Sequence, residues 1–120
     1  MKNLTITFDG QKHTSTELLC GTLRTITIAE IELKNELKIK DDELLWLEWI
    51  SSYCNVIALF PTIREKYSKV RFTELPVATM NNFLSVCTEV VYNWVFDIIN
   101  DADKAATEAN EAGVTIELKG

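Results

Sequence analysis

The chain has 120 residues, of which 47% are hydrophobic and 25% charged, the composition of an ordinary globular domain. Its net charge of −6 argues against nucleic-acid binding, which usually requires a basic surface. The longest unbroken apolar run, 56–60, is far shorter than the ~20 residues of a membrane-spanning helix. We therefore expect one domain over residues 1–120 that contacts neither nucleic acid nor membrane.

The first predicted element is a β-hairpin within residues 1–15. Apolar residues alternate with threonine and asparagine over 3–8, which is the period-two pattern of a half-buried strand. Asp9-Gly10 is a strong hairpin turn, because glycine adopts a positive φ without a Cβ clash. A short returning strand is expected over 11–15.

A helix is predicted next, over about 16–38. Residues 14–17 read Thr-Ser-Thr-Glu, a capping box in which a hydroxyl precedes a glutamate by three positions. Leucines and isoleucines follow at spacings of three, four and seven, as on one helix face. The β-branched run 25–28 leaves a strand or an irregular patch open as the alternative.

A second helix is predicted over 42–60, ending before Pro61. Asp41 or Asp42 could cap its N-terminus, and Glu43 in the first turn would favour the helix dipole. The predicted buried stripe consists of Trp46, Ile50, Tyr53, Ile57 and Phe60.

A short basic stretch over 62–71 leads to the last long helix. Thr73 could cap this helix, with Glu74 and Pro76 in its first turn and the main run beginning near 79. The predicted core stripe consists of Met80, Phe83, Cys87, Val91, Trp94 and Ile98. A further apolar set, Val86, Val90, Tyr92, Phe96 and Ile99, makes the apolar surface wider than one surface helix needs. The helix is thus either central or covered by a partner, and self-association is open.

Residues 101–120 differ in composition from the helical core over 16–100. An alanine stripe among acidic residues predicts a helical extension over 101–112, and alternation over 114–118 could form a terminal strand. The expected fold class is α+β and mainly α, with a short N-terminal β-hairpin, a bundle of three to four helices and a possible C-terminal strand.

The sequence shows no catalytic or metal-binding motif. His13 is the only histidine, and no nucleophile or second metal ligand accompanies it in the sequence. Cys20, Cys54 and Cys87 lie among apolar residues, which predicts buried, reduced thiols. We therefore expect a protein that is not an enzyme and needs no cofactor or metal.

Protein binding is the remaining class of function. Aromatic and basic side chains near the 62–71 connection are the candidate contacts, since tryptophan, tyrosine and arginine are enriched in interfaces. The candidate contact residues are Trp49, Phe60, Tyr67, Arg71 and Phe72. Core packing is the alternative role for the tryptophans.

The order of segments resembles a family of small phage tail assembly chaperones. The features concerned are the strand and turn over 4–11, the apolar helix opened by residues 42–47, and the Phe72-Thr73 helix start with the long apolar helix that follows. The resemblance implies a chaperone of long-tailed phages of Gram-positive bacteria.

That family implies two protein partners and a place of action. Its members bind the tape-measure protein, keep it soluble and help recruit tail-tube subunits in the host cytoplasm, and they are not expected in the mature virion. The alternative interpretation is an acidic inhibitor, such as an immunity protein, antitoxin or anti-defence protein. Its acidic segments, 41–48 and 97–111, would bind a basic enzyme.

Overall fold

The structure is a computed structural model that describes residues 3–100. A two-stranded antiparallel hairpin precedes four helices, which confirms the predicted α+β, mainly α, fold class. The elements are β1 (Thr5–Phe8), β2 (Gln11–Thr14), α1 (Cys20–Leu37), α2 (Leu44–Leu59), α3 (Pro61–Lys66), a 3₁₀ turn (Phe72–Glu74) and α4 (Val77–Val86). The predicted helix over 101–112 and strand over 114–118 lie outside the described residues.

The N-terminal hairpin forms as predicted. Asp9 and Gly10 both have positive φ, 51° and 74°, as a two-residue type I′ turn requires. The register pairs Ile6 with His13, and Phe8 with Gln11. Ile6, Phe8 and His13 all point towards the core, so the hairpin is covered on one face by the helices.

The first helix begins later than the sequence predicts. It starts at Cys20, because Thr16 is used in a tertiary contact: its backbone N–H donates to the Leu59 carbonyl at 2.8 Å. The Ser15 hydroxyl accepts a hydrogen bond from the Leu4 N–H instead of capping a helix. The capping-box prediction is therefore wrong, since its residues anchor the hairpin to the end of α2.

The β-branched run 25–28 is helical. The hydroxyls of Thr25 and Thr27 donate to the carbonyls four residues earlier, at 2.9 and 3.0 Å, so their polar groups are satisfied within the helix. Of this run Ile26 is buried. The alternatives of a strand or an irregular patch are excluded.

The acidic run before α2 does not cap it as predicted. Glu43 occupies the N-cap position without a side-chain cap, and its carboxylate accepts a hydrogen bond from the Lys40 N–H. Asp41 pairs with Lys34 at the end of α1, and Asp42 makes no cap. The acidic side chains thus stabilise the α1–α2 connection rather than the helix itself.

The second helix lies at the centre of the core, between α1 and α4. Ser52, Val56 and Leu59 are fully buried on one face of the helix, and Phe60 is fully buried at its end. Burial is wider than the predicted stripe, whose first residue, Trp46, is 37% exposed. A helix covered on two sides must bury more than one stripe.

The last helix also begins differently from the prediction. Thr73 belongs to the 3₁₀ turn and does not cap α4, whose N-cap position is Pro76. The helix continues from Val77 through a π turn, Cys87–Val91, into helical residues 92–100.

The π turn keeps one face of this helix in the core. Phe83, Cys87 and Val91 are all fully buried although they are four residues apart. In a regular α-helix each four-residue step turns about 40° beyond a full revolution, so two steps would rotate Val91 away from the core. The π turn contains more residues per revolution, which removes the extra rotation. The N–H of Tyr92, which follows the turn, donates to the Cys87 carbonyl five residues earlier. The predicted core stripe is confirmed through Val91.

Candidate protein-binding site

A connected series of aromatic rings crosses the molecule from the hairpin to the first turn of α2. Each ring lies within 6.4 Å of the next, measured between centroids, and most pairs meet edge to face. In order, the rings are His13, Phe8, Phe83, Tyr53, Phe72, Trp46 and Trp49, with Tyr67 packed against Phe8 and Phe83. The series begins in the core and reaches the surface at Trp46.

The exposed end of this series forms an apolar cleft, which we call the tryptophan cleft. Its volume is about 110 Å³. It lies where the first turns of α2 and α4 meet the 3₁₀ turn, and its lining residues are Trp46, Trp49, Phe72, Thr73, Leu75, Val77 and Met80. An engineered apolar cavity of about 150 Å³ holds a benzene molecule, so this cleft is of the right size for one apolar side chain.

The rim of the cleft exposes large apolar side chains. Val77 is 61% exposed and Trp46 is 37% exposed. Leu45, next to Trp46 in the first turn of α2, is 52% exposed. Exposed apolar residues that share one cleft, as Val77 and Trp46 do, are more typical of binding sites than isolated ones, which are common everywhere.

Trp49 carries a buried polar atom without a partner. Its ring packs edge to face on Trp46 at 5.2 Å, and its indole Nε1–H is buried with no hydrogen-bond acceptor among residues 3–100. An unsatisfied buried donor costs free energy. The tryptophan pair is held by ring packing rather than by hydrogen bonding.

The predicted contact residues do not form one site. Trp49 and Phe72 line the tryptophan cleft, but Phe72 is 8% exposed and presents little surface. Phe60 is fully buried beside Pro61, as its place in the predicted buried stripe of α2 implies, so it offers no surface as a contact residue. Phe60 is the junction between two helices. Its backbone N–H donates to the last turn of α2, and its carbonyl accepts from the first turn of α3.

Tyr67 and Arg71 lie away from the cleft lining. The Tyr67 hydroxyl donates to Asp9 Oδ2 at 2.6 Å, so it fastens the hairpin to α3. Arg71 is exposed and forms a long ion pair with Glu74, at 3.9 Å. It lines a wider cavity of about 490 Å³ that shares Phe72 and Thr73 with the cleft.

Sequence reasoning missed five of the cleft residues, which are Trp46, Thr73, Leu75, Val77 and Met80. Helical spacing assigned Trp46 and Met80 to the core, which is right for Met80 at 3% exposure. Val77 lay after the predicted cap at Thr73 but before the main apolar run that begins near 79. The position of Trp46 in the first turn of α2 was a signal that its side chain could be exposed, because neighbouring elements often leave the first turn of a helix uncovered.

The titratable groups near the aromatic series favour packing over chemistry. Burial raises the pKa of Tyr53, which keeps its hydroxyl neutral. Burial also raises the pKa of the Cys54 and Cys87 thiols to about 12. Cys20 is exposed, so the prediction that all three cysteines are buried is wrong for this one.

His13 is a buried residue of the hairpin. Its Nδ1 lies 2.7 Å from the Thr62 hydroxyl of α3, and its Nε2 is buried with no hydrogen-bond partner in the part of the chain that the structure describes. The ring packs edge to face on Phe8 at 6.4 Å. This arrangement places the histidine between the hairpin and α3, as part of their contact.

Within residues 3–100, no group of three or more histidine, cysteine or acidic side chains is arranged to hold a metal ion. None of the helices described has the length and apolar character required to span a bilayer.

Comparison with known proteins gives no relative from which a role could be transferred. No protein-family model matches the chain, and neither the curated proteins nor the solved structures contain a significant match.

Proposed function

We propose that this chain is a phage tail assembly chaperone that binds the tape-measure protein and helps recruit tail-tube subunits. The proposal requires protein binding and no catalytic group. It combines the segment order of the sequence with an apolar cleft that is open at the surface.

The observation that carries the proposal is the tryptophan cleft with its exposed rim. A chaperone for a long helical protein must cover apolar side chains that would otherwise aggregate. The cleft provides an apolar cavity between two helix ends, with Val77 and Trp46 exposed beside it. The net charge of −6 favours solubility of a chain that carries such a surface.

The acidic-inhibitor alternative has less support among the described residues. Asp41 is already paired with Lys34, and Glu43 accepts a hydrogen bond from the backbone of its own chain. Part of the acidic segment 41–48 therefore serves the α1–α2 connection. Most of the other acidic segment, 97–111, lies outside the described residues.

Co-expression tests the proposal directly. The chain is expressed with the long, heptad-rich helical protein encoded in a neighbouring reading frame, and the soluble fraction of that protein is measured with and without the chain. We expect the long protein to become soluble and to co-purify with the chain.

An unrelated acidic protein of similar size serves as the control for general solubilisation. If the long protein stays insoluble, or if the control solubilises it equally, the proposal fails. If the chain instead binds one compact basic enzyme and inhibits it, the inhibitor alternative replaces the proposal.

A further inference from the structure

The outer edge of β1 carries backbone groups without hydrogen-bond partners. Phe8 pairs with Gln11 beside the two-residue turn. In such a hairpin the pair next to the turn exchanges both hydrogen bonds, and bonded pairs then alternate with unbonded ones along the strands. The N–H and C=O groups of Thr5 and Thr7 therefore point away from β2, and none of them has a hydrogen-bond partner within residues 3–100.

β1 also lacks the features that usually protect an edge strand from pairing. Natural edge strands commonly carry lysine, proline or a bulge. β1 reads Thr-Ile-Thr-Phe, without charge or proline, whereas β2, at the other edge of the two-stranded sheet, carries Lys12. The free groups of β1 are backbone donors and acceptors at strand spacing, so the occupant that fits them is an extended segment.

A groove lies between this edge and the last helix. Its volume is about 390 Å³. This is more than twice the roughly 150 Å³ of an apolar cavity that holds benzene, so the groove has room for more than one side chain. It is lined by Thr7, Phe8, Asp9 and Gly10 of the hairpin and by Asn82, Ser85, Val86 and Glu89 of the helix. Val86 is half-buried, and Val90, which follows Glu89, is 38% exposed, so the helix leaves apolar surface that a strand could cover.

We propose that residues 114–118 of the same chain pair with the outer edge of β1 as a third strand of the N-terminal sheet. The segment reads Val-Thr-Ile-Glu-Leu and repeats the alternation of residues 4–8, Leu-Thr-Ile-Thr-Phe. Three of its five residues are β-branched, which suits a strand. Its apolar side chains then face the helices, and Thr115 and Glu117 face solvent on the same side as Thr7.

The chain beyond the described residues is long enough to reach the groove. The last helix continues from Glu89, at the groove, to Asn100, which lies about 17 Å farther along the helix axis at about 1.5 Å per residue. Residues 101–113 span up to about 43 Å if extended and about 20 Å if helical. Both lengths are sufficient to return from Asn100 to the edge of β1.

Covalent attachment favours the chain's own segment over a second copy. An attached segment has an effective concentration on the order of millimolar. The net charge of −6 disfavours close approach of two chains. The inference concerns the hairpin and does not rest on the proposed function, which concerns the tryptophan cleft.

Amide hydrogen exchange, followed residue by residue with NMR, tests the inference in the full chain. We expect the N–H groups of Thr5 and Thr7 to exchange at least about tenfold more slowly than that of Lys12, after correction for their intrinsic rates. Lys12 is the matched reference, because it is the cross-strand partner of Thr7 and its N–H points away from β1 at the other edge. If Thr5 and Thr7 exchange as fast as Lys12, the edge is unpaired and the inference fails.

Two aspartate variants show which segment protects the edge. Ile116→Asp places a charge on the face of the proposed strand that packs on the helices, so it should speed exchange at Thr5 and Thr7 at least about tenfold. Thr115→Asp adds the same charge one residue away, on the solvent face, and should leave exchange nearly unchanged. The Ile6 N–H, which bonds to β2, should stay protected in both variants and reports that the hairpin remains folded.

Disulfide cross-linking tests the alternation of the proposed strand. In a Cys20→Ser background, which removes the exposed thiol, Thr7→Cys is combined with a cysteine substituted in turn at each position of 114–118. Disulfides require Cα atoms about 4.4–6.8 Å apart and Cβ atoms that face each other. Cross-links within one chain should therefore form at 115 or 117 and not at 114, 116 or 118. Lys12→Cys is the control and should form none, because it lies one strand farther away.

Two further outcomes would overturn the inference. Protection of Thr5 and Thr7 that survives Ile116→Asp would show another occupant, and a cross-linked product of twice the chain mass would identify it as a second copy. Cross-linking to the same extent at all five positions would show contact without strand pairing. In both cases the proposed chaperone function would stand, since co-expression with the long helical protein tests it separately.

Discussion

Lys38 ends α1 in a left-handed backbone conformation, with φ 54° and ψ 41°. Its N–H donates to the Asn35 carbonyl, and the Ile39 N–H donates to the Lys34 carbonyl, which is the hydrogen-bond pattern of a Schellman motif. A residue with a Cβ is disfavoured in this conformation, whereas glycine adopts it freely. The left-handed backbone of Lys38 is therefore strained, and the strain is confined to this residue.

Lys38→Gly should increase the free energy of unfolding by about 1 kcal/mol, because it removes the left-handed strain. Urea denaturation followed by circular dichroism measures the change. Lys38→Ala is the control: it removes the charged side chain but keeps the Cβ, so it should leave stability nearly unchanged. An equal gain in both variants would show that the charge, not the backbone, causes the effect.

The three cysteines differ in accessibility. Cys54 and Cys87 are buried, with the pKa of each thiol raised to about 12, and the Cys87 thiol donates to the Ser52 carbonyl. Cys20 is exposed at the start of α1. Thiolate is the reactive form of cysteine, so burial and a raised pKa should both protect Cys54 and Cys87 from thiol reagents.

Ellman's reagent at pH 8 should therefore modify one thiol of the folded chain quickly and the other two only on unfolding. In denaturant all three should react. The Cys20→Ser variant should lose the fast phase. A fast phase that persists in this variant would show that Cys54 or Cys87 opens to solvent in the folded state.

At the scale of elements, the hairpin is fastened to the helices by its turn. Asp9 Oδ2 accepts hydrogen bonds from Lys66 at 2.8 Å and from the Tyr67 hydroxyl at 2.6 Å. The hydrogen bonds from Lys66 and then Tyr67 hold the pKa of Asp9 below its ordinary value of 3.8. Burial and the Asp9 contact raise the pKa of Tyr67 to about 12.

A carboxyl group whose pKa is lower in the folded chain than in the unfolded chain stabilises the folded state at pH values above its unfolded pKa. This contribution is lost as the pH falls towards the folded pKa. The Asp9 contribution should thus be complete above about pH 5 and decline below pH 4. Asp9→Asn should lower the free energy of unfolding at pH 7 by about 1 kcal/mol, a modest value because the Lys66 side chain is 45% exposed.

Asparagine tolerates the positive φ of this turn, so the substitution tests the charge and not the turn. Stability measured from pH 3 to 7 should fall less steeply in Asp9→Asn than in the natural chain. Parallel pH curves would show that Asp9 does not contribute to acid sensitivity.

The elements whose signals are local were predictable. The Asp9-Gly10 turn, the helix end before Pro61 and the apolar spacing of α4 through Val91 all depend on residues close together in the chain. The capping predictions were wrong because hydroxyl and carboxylate groups have tertiary alternatives. Thr16 binds the distant Leu59 carbonyl, and Asp41 binds Lys34. No spacing rule indicates which partner is used.

The candidate site was predictable only in part for the same reason. Trp49 and Phe72 were named, but their neighbours across the cleft come from α4, more than twenty residues away in the chain from Trp49. Phe60 fitted both the buried stripe of α2 and the candidate contacts, and the structure buries it fully. Exposure of an aromatic residue depends on how elements pack, which a single sequence does not specify.

At the scale of the whole molecule, Phe83 connects the parts. Its ring packs against Phe8 of the hairpin at 4.9 Å, against Tyr53 of α2 at 5.6 Å and against Tyr67 after α3 at 5.6 Å. It is fully buried. Hairpin, central helix and last helix therefore share one core rather than three separate contacts.

Phe83→Ala should destabilise the chain by about 3–5 kcal/mol, since it removes a buried ring that three elements contact. Small domains have a total stability of about 5–15 kcal/mol, so this variant should be near the limit of folding. The milder Phe83→Leu keeps most of the side-chain volume and should be stable enough to measure.

Because the core is shared, circular dichroism and tryptophan fluorescence should agree on one unfolding midpoint in Phe83→Leu. This midpoint should be lower than that of the natural chain. If tryptophan fluorescence instead changes at a separate midpoint, the tryptophan cleft unfolds independently of the hairpin, and the aromatic series does not couple them.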